Sequence, residues 1–216
     1  MRITVIGGHG RTGFLVVQQL LAAKNSVVAT IRSPKGMADL VKLGAETQMI
    51  DLAKSGFDDI VRAMKGSDAV VFAAGSAAGE TSELDRTGTL RTVRAAEKAG
   101  VKRYISISAI GASTGLSTRS MDDEMKDYYK QKRAAARHIT GSSLDWTIIE
   151  PAELTEEAGT GKVTATLDKL ASTPIARADV AAVVVACLGD PRSIGKAIQL
   201  AGGTTPIKAA LDKALS

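Results

Sequence analysis

Near the start of the chain the segment Gly7-Gly8-His9-Gly10-Arg11-Thr12-Gly13 leaves few architectures open. The apolar run Ile3–Ile6 leads straight into it, and a helical pattern, Thr12–Ala23, follows without a break. Glycines at this spacing permit a tight turn, a close approach of helix to strand, and a close approach of backbone to a ligand. A second β-branched run, Val27–Ile31, completes a strand–loop–helix–strand unit. Such a unit folds by laying its two strands in parallel, with the helix packed across them in a right-handed crossover.

The alternation then continues along the chain. Thr47–Ile50, Ala69–Ala73, Tyr104–Ile107 and Trp146–Ile149 read as further strands, nearly continuous in apolar residues, as parallel strands covered on both faces should be. Helical patterns lie between them at Lys35–Leu43, Phe57–Met64, Glu83–Lys98 and Asp122–Thr140. Gly44, Gly66, Gly100 and Gly141 fall where helix C-termini are expected. After Pro151 the pattern loosens into a loop at Glu153–Gly161, a short strand at Lys162–Leu167, a helix at Asp179–Leu188, a strand at Ala197–Leu200 and a final helix within Thr205–Leu215. The expected class is α/β, a Rossmann-type doubly wound parallel sheet forming a single domain over residues 1–216. Residues 151–216 are expected to contribute the substrate-side region, a small C-terminal lobe folded over the sheet edge.

Strand, glycine loop and helix in that order define a phosphate site. The helix N-terminus offers unsatisfied N–H groups and a partial positive charge, so Gly7, Gly8, His9, Gly10, Arg11, Thr12 and Gly13 are assigned to a dinucleotide's pyrophosphate. The end of the second strand selects the dinucleotide. An acidic residue there accepts bonds from the ribose hydroxyls of NAD, whereas this chain has Thr30-Ile31-Arg32-Ser33, with Arg11 as a second cation. A guanidinium binds an added 2′-phosphate and a carboxylate repels it, so NADP(H) is expected in preference to NAD(H), with Arg32 and Ser33 at the phosphate.

Composition closes other routes. Aromatic residues make up 3% of the 216 residues, too few to stack unpaired bases, and the net charge of +5 is spread along the chain, so no nucleic acid is expected. No segment approaches the roughly 20 apolar residues of a membrane span, and the N-terminal apolar stretch is too short for a signal peptide, so the reading is cytoplasmic, with no membrane partner. Cys187, the only cysteine, lies in the apolar run Val180–Leu188 and reads as a buried free thiol. His9 reads as a neutral loop residue and His138 as an exposed one. Together with Cys187 they have no metal-ligand spacing, and no metal is expected. Asp122-Asp123-Glu124 reads as a helix cap, and Arg119, Lys126, Lys130, Lys132, Arg133 and Arg137 as a solvated basic face.

Several segments resemble the short-chain dehydrogenase/reductase superfamily. The loop has its Gly-x-x-Gly-x-x-Gly form. Asp51-Leu52 is similar to the superfamily's adenine-binding pair, and Ser67–Gly75, with Ala73-Ala74-Gly75 at its end, to the fourth strand and the turn beneath the coenzyme. Arg103–Ser108 resembles the serine-bearing fifth strand, Leu144–Ile149 the sixth strand, and Ile175–Val180 a later helix start. Together they are most similar to the small atypical members called NAD(P)H-binding or NmrA-like proteins, which include flavin/biliverdin reductase-like and sugar-epimerase-like proteins.

The resemblance implies a Tyr-x-x-x-Lys pair, met here by Tyr128 and Lys132, with Lys132 also bonding the nicotinamide ribose and its charge, with the coenzyme's own, lowering the phenol pKa. Tyr129 and Arg133 share the same spacing. Where the family carries two serines after its fifth strand, this chain has Ser108-Ala109, leaving Ser108, or Ser113 from the following loop, to polarise a carbonyl. Where the family has Arg-Pro-Gly, it has Glu150-Pro151-Ala152, with the Pro151 backbone against the nicotinamide. The expected function is an NADPH-dependent oxidoreductase reducing a small carbonyl, quinone or flavin-like acceptor. The alternatives are an NAD(P)-dependent epimerase, or an NADP(H)-binding redox sensor that signals to a protein partner without turnover.

Overall fold

In the computed structural model, which describes residues 1–75 and 83–216, the alternation becomes a nine-stranded sheet with helices on both faces. The first part runs β1 (Arg2–Ile6), α1 (Arg11–Ala22), β2 (Ser26–Ile31), α2 (Met37–Leu43), β3 (Glu46–Met49), α3 (Phe57–Met64), β4 (Ala69–Phe72), α4 (Glu83–Ala99), β5 (Arg103–Ile107), α5 (Asp123–Thr140) and β6 (Asp145–Pro151). The rest is β7 (Leu154–Thr155), β8 (Lys162–Thr166), β9 (Ile175–Ala176), α6 (Arg177–Leu188), a 3-10 turn at Pro191–Ser193, β10 (Lys196–Gly202), β11 (Thr205–Pro206) and α7 (Ile207–Ala214). Across the sheet the order is β11-β8-β10-β6-β5-β4-β1-β2-β3. Every pairing from β3 to β10 is parallel, and β8 and β11 join antiparallel. Strand order reverses between β1 and β4, which opens a crevice beyond their C-terminal ends.

Side chains alternate between the two faces of each strand, and both faces are covered. Ile3, Val5 and Ile149 pack with Val16, Leu20, Val180 and Val184 of α1 and α6. Ile6, Val70, Tyr104 and Ile148 pack with Ile60, Met64, Val93 and Ile139 of α3, α4 and α5. Polar groups inside are bonded: Thr4 Oγ1 meets the Ala63 carbonyl at 3.0 Å, and the Tyr104 hydroxyl meets Thr92 Oγ1 at 2.8 Å. Arg103 is buried and donates to the Asp145 carbonyl at 2.7 Å, Thr147 Oγ1 at 2.9 Å, the Cys187 carbonyl at 2.7 Å and Ser193 Oγ at 2.8 Å. It therefore pins β5 and β6 to the end of α6. Cys187 is buried as expected, and burial pushes its thiol up to about 12.

Helix ends follow their sequence signals. Gly44, Gly66 and Gly100 take left-handed backbone after α2, α3 and α4, whereas Gly141 closes α5 at φ −88°. Asp122 caps α5 by accepting the Met125 N–H at 2.8 Å. Residues after Pro151 enter in two ways: β10, β8 and β11 extend the main sheet, while β7 and β9 form a separate two-stranded sheet beside the crevice. The segment expected as the loop Glu153–Gly161 thus contains β7, and the helix expected from Thr205 begins at Ile207, after β11.

Candidate functional site

The glycine loop is shaped by contacts on three sides. Gly7 stands at φ +80°, and a Cβ there would lie 2.9 Å from the Ala74 backbone. A Cβ at Gly13 would lie 2.2 Å from the Gly7 carbonyl oxygen, so helix and strand approach as closely as only glycine allows. Gly8 donates to the Thr30 carbonyl at 2.9 Å and Gly10 to the Gly7 carbonyl at 2.9 Å, which locks the loop against β2. No side chain caps the N-terminus of α1, where Gly10 is the cap residue. That uncapped end, bedded on backbone that admits no Cβ, fits a coenzyme diphosphate.

Two connected hollows meet at this loop. The first, about 370 Å³, is lined by Gly7, His9, Gly10, Thr30, Arg32, Ser33, Asp51 and Leu52. Ala73, Ala74 and Gly75 form its inner wall. Arg32 is exposed and, among the described residues, has no ion-pair partner. Lys35 joins it in the lining as a second cation, which no motif in the sequence marks. Asp51 Oδ1 accepts the Ala53 N–H at 2.9 Å, which fixes the turn after β3 at the hollow's rim. The His9 imidazole lies against Gly36 and is exposed.

The second hollow, about 710 Å³, shares Gly10, Ala73, Ala74 and Gly75 with the first. Arg11, Thr12, Ser108, Tyr128, Tyr129, Lys132 and Pro151 open onto it, between apolar walls supplied by Ile107, Ile110, Met125 and Leu154. Arg11 is therefore not a partner of Arg32. It lies on this side, where Glu156 Oε1 accepts from its Nη1 at 2.9 Å, and it does not line the first hollow. Arg177, at the start of α6, was not assigned a role from sequence. Its Nε meets the same Glu156 oxygen at 2.9 Å and its Nη1 meets Thr12 Oγ1 at 3.2 Å, so one carboxylate gathers two guanidinium groups at the glycine loop. The pair holds the Glu156 carboxyl below the usual carboxylate range.

Of the two tyrosine–cation spacings, Tyr128 and Lys132 face the hollow together. Arg133 turns aside and bonds the Leu116 carbonyl. Ser108 lines the hollow, while Ser113 is exposed outside it and donates its backbone N–H to Glu150 Oε1 at 2.6 Å. Glu150, fully buried in place of the family's arginine, has its carboxyl pushed up by burial. His138 is half-buried against the cations Arg86, Arg94 and Arg137, not exposed as expected.

The protein's own groups act against the expected lowering of the Tyr128 phenol. Burial, and then the Asp85 carboxylate, push it up to about 12. Asp85, on α4, lies 3.2 Å from Lys132 Nζ with both side chains buried, so the ammonium is already compensated. Lys132 Nζ lies 5.2 Å from the centroid of the Tyr128 ring, over its face. The sequence reading missed Asp85 because an acidic residue in a first helical turn ordinarily answers the helix dipole. Among the described residues no group of histidines, cysteines and carboxylates is arranged to hold a metal, and no helix is long and apolar enough to cross a membrane.

A parallel sheet with its strand order reversed at an uncapped glycine loop, and a cleft running to a tyrosine and a lysine, define a dinucleotide-binding protein of the Rossmann type. Residues 7–191 match the family described as NAD(P)H-binding, and the chain belongs to it. A Bacillus subtilis protein named an uncharacterized sugar epimerase, YhfK, is 35% identical over 99% of this chain and 100% of its own. A solved structure named a putative NAD-dependent epimerase/dehydratase, from Bacillus halodurans, superposes with a TM-score of 0.89 at 30% identity, covering 99% of each chain. The oxidoreductase YlbE of Lactococcus lactis superposes with a TM-score of 0.87 at 30% identity, covering 100% of this chain and 97% of its own. The likeness to atypical short-chain reductases and epimerases read from sequence thus stands.

Proposed function

We propose that the protein is an NADPH-dependent oxidoreductase that reduces a small carbonyl, quinone or flavin-like acceptor in the 710 Å³ hollow. The observation that carries this reading is the shared wall, Ala73 to Gly75, which joins a hollow bearing Arg32 and Lys35 to one bearing Ser108, Tyr128 and Lys132. The glycine loop and the N-terminus of α1 would hold the diphosphate, with Arg11 and Arg177 beside it. Arg32, Ser33 and Lys35 would hold the 2′-phosphate, which favours NADP(H) over NAD(H). When bound, the reduced nicotinamide supplies a hydride to the acceptor.

The remaining roles belong to the chain itself. Lys132 holds the ribose side of the cleft, and Pro151 and Ala152 close the wall opposite. Ser108 donates a hydrogen bond to the acceptor oxygen. Tyr128 Oη gives that oxygen its proton and recovers one from solvent. The apolar walls exclude water and accept a flat, weakly polar molecule.

Purified protein given NADPH and a panel of aldehydes, quinones and flavins tests the reading. Coenzyme consumption with at least one acceptor is expected, and tight binding without turnover on any of them would replace the reductase with the sensor. The names of the Bacillus relatives support a second reading, an epimerase that oxidises and re-reduces its sugar. That reaction would start from the oxidised coenzyme and return it oxidised, so substrate would be converted with no net change in NADP(H).

A further inference from the structure

We propose that Asp85 is a positioning residue that sets the protonation state in which Tyr128 rests. Its carboxylate ties down the Lys132 ammonium and cancels its charge, so Tyr128 rests as the phenol that protonates an acceptor oxygen, and little of it is the phenolate that would take the proton of an alcohol undergoing oxidation. The inference rests on the reductase reading. Its basis is geometric. Lys132 and Asp85 form the 3.2 Å pair with side chains only 8% and 2% exposed. A Cβ at Gly75 would lie 3.3 Å from both Asp85 Oδ1 and Lys132 Nζ, so the pair is pressed against the turn that joins the two hollows. The ammonium lies over the ring face of Tyr128, 5.2 Å from its centroid. A lone cation there would draw the phenol toward ionisation, and the adjacent carboxylate reverses that pull.

Other charged groups near the cleft act elsewhere. Arg11 and Arg177 are engaged by Glu156, and Glu153 stands on the lobe side of the hollow. Glu150 of β6 and Arg133 of α5 act on Tyr129. After burial, Asp85 is the charge that acts on Tyr128, and together they push it up to about 12. In the balanced reaction the acceptor's C=O π bond breaks, its carbon gains the hydride and its oxygen gains the Tyr128 proton. The coenzyme leaves oxidised, and solvent reprotonates the phenolate.

The test is an ultraviolet difference titration of tyrosinate, in which subtraction of Tyr128→Phe isolates the Tyr128 curve. Asp85→Asn, which leaves the ammonium uncompensated, is expected to lower that curve by one to two pH units, roughly what one close charge contributes. Oxidation of the product alcohol at about pH 9 should rise by roughly tenfold per unit lowered. Asp85→Glu should restore the original curve. A Tyr128 curve unmoved or raised in Asp85→Asn would overturn the proposal. If Asp85→Asn does not fold, Lys132→Met reads the same cancellation from the other side: the curve must move to higher pH, and a downward movement overturns it. Turnover on the acceptor panel with a phenol indifferent to Asp85 overturns this inference alone. A phenol that follows Asp85 in a protein with no turnover overturns the reductase reading, and the assigned proton transfer with it.

Discussion

Replacing Arg32 by alanine should weaken NADPH by about one to two orders of magnitude and leave NADH nearly unchanged, so that most of the preference between them is lost. Arg32 stands exposed at the end of β2, with no ion-pair partner among the described residues, and Lys35 lines the same hollow. Two unit charges about 4 Å apart attract by about 1 kcal/mol in bulk water and about 4 kcal/mol at an effective dielectric near 20. A rim position that the adenosine half partly shields lies between these limits. A guanidinium bonded to a phosphate at such a site contributes about 1.5–3 kcal/mol. At about 1.4 kcal/mol per tenfold, the Kd for NADPH should rise roughly 10- to 100-fold in Arg32→Ala, with Lys35 keeping the loss toward the lower figure. NADH lacks the phosphate, so its Kd should change less than about threefold. Calorimetric titration of both coenzymes measures the difference, and repetition at high salt should shrink the wild-type preference, because exposed charges are screened. Equal losses for both coenzymes, or no loss for NADPH, would refute the assignment of Arg32 to the 2′-phosphate.

Further outcomes follow from other sites. Arg103→Met removes four hydrogen bonds from a buried cation and should cost about 2–4 kcal/mol, read as a fall in urea midpoint; a midpoint within experimental error of wild type would show that the other partners of Thr147 and Ser193 suffice. Glu150→Gln should stabilise the fold at pH 7, since burial disfavours the Glu150 carboxylate while Gln still accepts the Ser113 N–H. Because burial raises the Glu150 carboxyl, its contribution to stability is whole below about pH 4 and is lost as pH rises through the folded-state value, and a variant less stable than wild type at pH 7 contradicts this. Tyr128→Phe should lower kcat for carbonyl reduction about a hundredfold while leaving the Kd for NADPH unchanged; parallel losses in both would place Tyr128 in binding. With the phenol near 12, the rate of reduction should show no fall assignable to Tyr128 between pH 7 and pH 10. Glu156→Ala should tighten NADPH a few-fold by releasing Arg11 and Arg177 for the diphosphate, and weaker binding would mean that Glu156 holds them in place for it.

The parts of the site legible in sequence are those made by neighbours along the chain. The glycine loop could be read because strand, turn and helix are contiguous, and Arg32 because the end of a strand has a fixed place over the crevice. Tyr128 and Lys132 stood out through the family resemblance, since a tyrosine and a lysine one helical turn apart are by themselves an ordinary helix face. What stayed hidden depends on residues that meet only once the sheet is assembled. Arg177 reaches Thr12 across 165 positions because α6 packs beside α1, and no local spacing announces that. Asp85 meets Lys132 because α4 and α5 cover the same face, and it inverts the electrostatics inferred from the tyrosine and lysine alone. Arg11 was misplaced for the reverse reason, since adjacency to the loop does not say which side of it a long side chain takes.

Gly75 lines both hollows and backs onto the Asp85–Lys132 ion pair, so one turn of backbone serves both halves of the cleft. A Cβ at that turn would stand 3.3 Å from both Asp85 Oδ1 and Lys132 Nζ, so both ends of the ion pair would have to give by a few tenths of an ångström to admit it. The far wall, where Ile110, Met125, Leu154 and Ser172 come from separate segments, carries no such double duty. On the proposed function, that wall is where substitutions would alter the fit of an acceptor one residue at a time, away from Ser108, Tyr128 and Lys132.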